Sequence, residues 1–170
     1  MTGLYTIPLI GLKEGKHTFE FGIGNKFFDG FEDSEIKEGD LRAHVLLEKG
    51  SACINLRIVI SGAVKINCDR CLEFFMQKVE CENNIILKTG HDTDEGDPEI
   101  IFVPFSSHEF DLSQLFYEYI HLALPLRRIH PDGKDGRCGC NPDMIARLES
   151  HRAENENKQM NELKKLLNNN

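Results

Sequence analysis

Ala52-Cys53-Ile54-Asn55-Leu56-Arg57-Ile58-Val59-Ile60 alternates without a break: Ala52, Ile54, Leu56, Ile58 and Ile60 fall on one face, Cys53, Asn55, Arg57 and Val59 on the other. A repeat of two is that of a β-strand laid on a core, so a sheet stands at the centre of the fold. Ser61-Gly62 interrupts the run in the manner of a bulge or bend. Ala63-Val64-Lys65-Ile66-Asn67 then carries the chain to Cys68-Asp69-Arg70-Cys71.

The flanks extend the same pattern. Upstream, Leu41, Ala43, Val45 and Leu47 share one face of a strand from Asp40 to Glu48, and Lys49-Gly50-Ser51 is the turn between the two. Earlier still, Leu4 to Phe21 reads as strand, turn, strand, with Pro8 assigning the first strand to an edge because it donates no ladder hydrogen bond. Asn25 to Asp40 reads as a short helix and loop. Downstream, Leu72–Val79 and Cys81–Lys88 read as strands of a meander, His91–Glu99 as a solvated acidic loop, and Glu99–Phe105 as one more strand. The period changes between Phe110 and Leu124, where Leu112, Leu115, Phe116, Tyr119, Ile120 and Ala123 form one stripe of an amphipathic helix. Asp111 with Gln114 offers a variant capping box, and Pro125 stops the helix. The expected fold is therefore α+β: an antiparallel β-rich sheet or small open barrel packed by one amphipathic helix.

The chain has 170 residues, enough for one domain and an appendage. Residues 1–142 form the expected β-rich domain and 143–170 a helical, partly exposed tail, where Ile145, Leu148, Met160 and Leu163 are too sparse for a coiled coil. No apolar run spans a bilayer, and Met1-Thr2-Gly3-Leu4-Tyr5 lacks the look of a signal peptide, so a cytoplasmic protein without a membrane partner is expected. A formal net charge of −8 disfavours bulk electrostatic binding to RNA, which depends on Lys and Arg neutralising phosphates.

Six cysteines in a reducing compartment point to free, metal-bound or catalytic thiols rather than disulfides. Cys53 and Cys81 lie within strands and read as small buried hydrophobes. Cys68 and Cys71 are spaced C-x2-C, and Cys138-Gly139-Cys140 gives a second, tighter pair. Together they suggest a four-thiolate zinc clasp on Cys68, Cys71, Cys138 and Cys140; three of these thiols with another ligand such as His130 is the alternative. Ordinary loop thiols are the plain reading of the second pair. The loop around it carries Arg127, Arg128, Lys134 and Arg137, which with Arg70 are the candidate phosphate or partner contacts. The seven histidines are scattered, and the sequence holds no phosphate-cradling glycine motif, nucleophile elbow or H-E-x-x-H, so no enzyme is expected.

Ile66-Asn67-Cys68-Asp69-Arg70-Cys71-Leu72-Glu73 after a β-rich half, then Phe110-Asp111-Leu112, Leu122-Ala123-Leu124-Pro125-Leu126, Ile129-His130 and Cys140-Asn141-Pro142, resembles the YceD-like proteins, described as large ribosomal RNA subunit accumulation proteins. The resemblance covers roughly residues 4 to 145. It implies a cytoplasmic bacterial factor needed for accumulation of 23S rRNA and for large-subunit assembly. Its partner would be 23S rRNA or its precursor, or a large-subunit ribosomal protein. A zinc- or thiol-dependent redox enzyme using Cys68 and Cys71, and an acidic holding module for basic ribosomal proteins, are the competing expectations.

Overall fold

The computed structural model describes residues 4–32, 34–90, 99–132 and 138–152. The acidic segment 91–98, Lys134 and Arg137, and the tail 153–170 lie outside the described residues. In chain order the elements are β1 (Thr6–Pro8), β2 (Gly15–Ile23), α1 (Asn25–Phe28), β3 (Glu38–Lys49), β4 (Cys53–Asn67), β5 (Phe74–Thr89), β6 (Ile100–Val103), β7 (Glu109–Asp111) and α2 (Ser113–Leu122). A further helix, α3, covers residues 142–152. The chain forms two compact units, one of Met1–Ile66 with Met76–Leu126, the other of Asn67–Phe75 with Arg127–Asn170.

The first unit holds an open five-stranded sheet in the order β2-β3-β4-β5-β6 and a two-stranded sheet of β1 and β7. The fold is α+β, as expected, and the sheet does not close into a barrel. It is mixed, because β6 runs parallel to β5, with Ile86 opposite Ile100. Leu41, Ala43, Val45 and Leu47 of β3 and Leu56, Ile58 and Ile60 of β4 are at most 1% exposed. Each such Leu, Ile or Val side chain contributes roughly 2 kcal/mol through burial. Phe116, buried on α2, meets Phe21 at 5.6 Å and Tyr5 at 6.2 Å between ring centroids, so the helix stripe lies on the sheet.

Several local expectations change. β1 does not form a hairpin with β2; it pairs with β7, Ile7 opposite Phe110, while β2 pairs with β3. Three residues including Pro8 make too little ladder for the main sheet, and the two-stranded sheet accepts them. The segments on either side of Glu80 are one strand, since Phe75, Val79, Ile85 and Leu87 keep a single buried face through it. The capping box does not form: the N-cap is Leu112, without a side-chain cap, and Asp111 makes an Asx turn just before it, its Oδ1 accepting from the Ser113 backbone N at 2.8 Å and Oγ at 2.6 Å. Gln114 turns instead to Glu118, 2.7 Å away.

Ser61-Gly62 is not a bulge, because the β3–β4 register runs on without a slip through Leu41 opposite Gly62. Gly62 has φ +152, and a Cβ there would stand 2.6 Å from Leu41 Cα. Close approach of two strand backbones is the reason for glycine at this point. Gly62→Ala should destabilise the protein by about 2 kcal/mol or more, read as a lower urea midpoint, because it adds both strain and overlap. Gly22→Ala, which meets nothing within 4 Å, should stay within about 0.5 kcal/mol of the parent.

Candidate metal centre

The second unit begins where β4 ends. The Cys68 N–H donates to Glu73 O and the Leu72 N–H to Cys68 O, both at 2.9 Å, closing a tight turn around the C-x2-C pair. Leu72 completes it in the left-handed region at φ 63, a conformation that a branched side chain adopts only when the surroundings demand it. The turn folds the chain so that both sulfurs point the same way, and the Arg70 N–H lies 3.4 Å from Cys68 Sγ.

Asp69 ties this turn to the segment after Pro125. Its N–H donates to Arg128 O at 2.7 Å, and its Oδ2 accepts from the Arg128 N–H at 2.7 Å. Two residues further on, the His130 ring packs on Phe75 with centroids 4.8 Å apart, which fixes the imidazole plane. Its Nδ1 is 3.4 Å from Cys71 Sγ. Cys138 pairs with Asp132 in an isolated β-bridge, bringing the second thiol pair alongside. Gly139 between those thiols touches backbone: a Cβ would sit 2.9 Å from Pro131 O and 3.3 Å from His130 Cβ. Only glycine lets the chain pass there and deliver Cys140 Sγ to 3.7 Å from Cys68 Sγ. Asn141 then caps α3, its Oδ1 accepting from the Asp143 N–H at 2.9 Å while its Nδ2 donates to Glu73 at 2.7 Å.

The outcome is a cluster of Cys68, Cys71, His130 and Cys140 whose ligand atoms all lie within 4.8 Å of one another. The three sulfurs are buried. Cys138 Sγ is outside that group and has Arg70 Nη1 3.6 Å away. Of the other expected site residues, Arg70, Arg127 and Arg128 belong to this same unit. Cys53 and Cys81 are half-buried in strands, and Cys81 donates toward Tyr119 O at 3.8 Å. His130 was legible only as an alternative ligand. The Asn141-Pro142 helix start was present as a cap followed by proline at the first helical position, a signal that the charged tail beyond it obscured.

Electrostatics divide the thiols. Burial pushes Cys68 up, but N–H groups of Cys71, Arg70 and His130 and the His130 side chain outweigh it and bring the thiol down to about 6. Burial, the Cys138 and Cys68 thiols and the Cys68 charge push Cys140 up to about 12. Cys138 is lowered by hydrogen bonds from Cys140 and then by Arg70. These effects favour the thiolate on Cys68 and the protonated thiol on Cys140, so a cation held by the cluster would displace thiol protons.

Three thiols and one imidazole that could hold a metal, in a chain of α+β fold, define a small protein with a candidate metal centre. Over residues 56–167, more than half the chain, it matches the family model described as large ribosomal RNA subunit accumulation protein YceD, and the chain belongs to that family. That description implies a role in the accumulation of large-subunit ribosomal RNA. No curated protein and no solved structure gave a match. Among the described residues, no helix is long and apolar enough to cross a membrane.

Gly139→Ala should weaken zinc binding by about tenfold or more, measured by competition with a chromophoric chelator, because the added methyl presses on the backbone that positions Cys140. Unchanged affinity in that variant would show that the close approach does not govern the cluster.

Proposed function

We propose that this protein is a non-enzymatic factor that supports 23S rRNA accumulation during large-subunit assembly, binding rRNA or a large-subunit ribosomal protein through its metal-stapled second unit. The observation that carries this reading is the family match, whose span of residues 56–167 contains the whole cluster and all the candidate arginines. Arg70 and Arg127 are exposed, and the paired Asp69–Arg128 hydrogen bonds hold their two segments side by side. Guanidinium groups on a stiff turn suit local phosphate or carboxylate contacts, which the net charge of −8 requires to be local rather than general. A cytoplasmic location goes with this role.

A thiol-dependent redox enzyme is the second reading, favoured by the lowered Cys68 thiol. Yet Cys68 and Cys71 are only 0% and 2% exposed. A nucleophile has to be reachable by its substrate, whereas a thiolate ligand has to be deprotonated and enclosed. The geometry favours the ligand.

Depletion of the protein should lower 23S relative to 16S rRNA and reduce the large-subunit peak on a sucrose gradient. Normal ratios on full depletion would overturn the role. In cells carrying Arg70→Ala with Arg127→Ala, the ratio should fall while zinc content and folding hold; an unaltered ratio would remove these arginines as contacts.

A further inference from the structure

We infer that the second unit binds one zinc ion through Cys68 Sγ, Cys71 Sγ, Cys140 Sγ and His130 Nδ1, and that Cys138 is a neighbouring thiol outside the coordination sphere. The inference stands on the residues of the cluster and does not depend on which partner the protein meets.

Distances make the first part of the case. Zinc at about 2.3 Å from sulfur and about 2.0 Å from nitrogen sets tetrahedron edges of roughly 3.8 Å between sulfurs and roughly 3.5 Å between sulfur and nitrogen. The Cys68–Cys140 separation is 3.7 Å and the Cys71–His130 Nδ1 separation 3.4 Å. Two donor pairs thus stand at the edge lengths of such a tetrahedron, and all four donor atoms lie within 4.8 Å of one another. Soft thiolates with one imidazole in a four-donor set suit zinc, and a closed set of four protein ligands is the pattern of structural sites.

The surroundings make the second part. The imidazole is held by its tilted contact with the Phe75 ring, and its segment is held by the Asp69–Arg128 hydrogen bonds. Fixing a ligand through outer contacts of this kind is what tunes a metal centre. The Arg70 N–H donates to Cys68 Sγ, an arrangement that stabilises a coordinated thiolate. Cys138 differs from the other three thiols in each respect: it is half-buried where they are buried, and Arg70 Nη1 stands 3.6 Å from its sulfur. The tight C-x-C spacing is explained as well. Gly139 carries the chain across Pro131 O so that the second thiol reaches the cluster, and the first remains in the β-bridge with Asp132.

On binding, the thiols that still carry protons release them to solvent, and the three thiolates and the Nδ1 lone pair of His130, with its ring proton on Nε2, enter the four positions around the ion. Three thiolates against Zn2+ leave one net negative charge at the site, where four thiolates would leave two. Arg70 lies beside that charge.

The test uses the full-length protein, loaded with zinc under reducing conditions and treated with a thiol alkylator before and after chelation. Mass spectrometry should find Cys138 modified in the zinc-loaded protein while Cys68, Cys71 and Cys140 are protected, and those three should become reactive once zinc is removed. Cys138→Ser should keep about one zinc per chain, whereas His130→Ala and Cys140→Ser should lose it. Cobalt substituted into the wild-type protein and into Cys138→Ser should give the same three-sulfur, one-nitrogen absorption spectrum, a readout on folded protein even where a ligand variant does not fold. Protection of Cys138 together with the others, loss of zinc from Cys138→Ser, a four-sulfur cobalt spectrum, or reaction of all four thiols indifferent to zinc would each overturn the inference.

Discussion

Three buried thiols and one imidazole, from segments 59 to 72 residues apart in the chain, converge within 4.8 Å in the second unit. Local structure alone does not account for such convergence, since ordering two distant loops costs conformational entropy that a few hydrogen bonds scarcely offset. The zinc ion inferred above would supply the missing free energy at one point, since binding free energy at such a site is folding free energy. The Asp69–Arg128 hydrogen bonds, the tilted Phe75–His130 ring contact and the Gly139 crossing each bear on where a single donor atom stands.

The large features of the sheet were legible because burial imposes a period of two on any strand with one face in the core. β3 and β4 were plain in Leu41, Ala43, Val45 and Leu47 and in Leu56, Ile58 and Ile60, and the α2 stripe in Leu112, Phe116 and Ile120, all of which are buried. Pairing partners were not legible. Nothing local in Thr6-Ile7-Pro8 says that it will meet Glu109-Phe110-Asp111 rather than its neighbour β2, and β7 is hidden because Phe110 and Leu112 fit the start of a helical stripe equally well. Gly62 shows a similar limit: as a letter it is a break, whereas its actual role is a close passage between strands that only the paired backbone defines.

The candidate site divides along the same line. C-x2-C is a local motif, and its turn needs no distant information. The choice between Cys138 and His130 as the fourth donor depends on the path of the loop past Pro131, which spacing does not encode. Membership of the YceD family ties the chain to the accumulation of large-subunit ribosomal RNA. In the role proposed above, Arg70 and Arg127 would meet a partner from a fixed turn at little entropic cost.

The most direct test of the account is X-ray absorption at the zinc edge on full-length protein purified under reducing conditions. The account predicts one tetrahedral shell of three sulfurs at about 2.3 Å and one nitrogen at about 2.0 Å. A folded protein with no zinc, or a shell of four sulfurs, would contradict it.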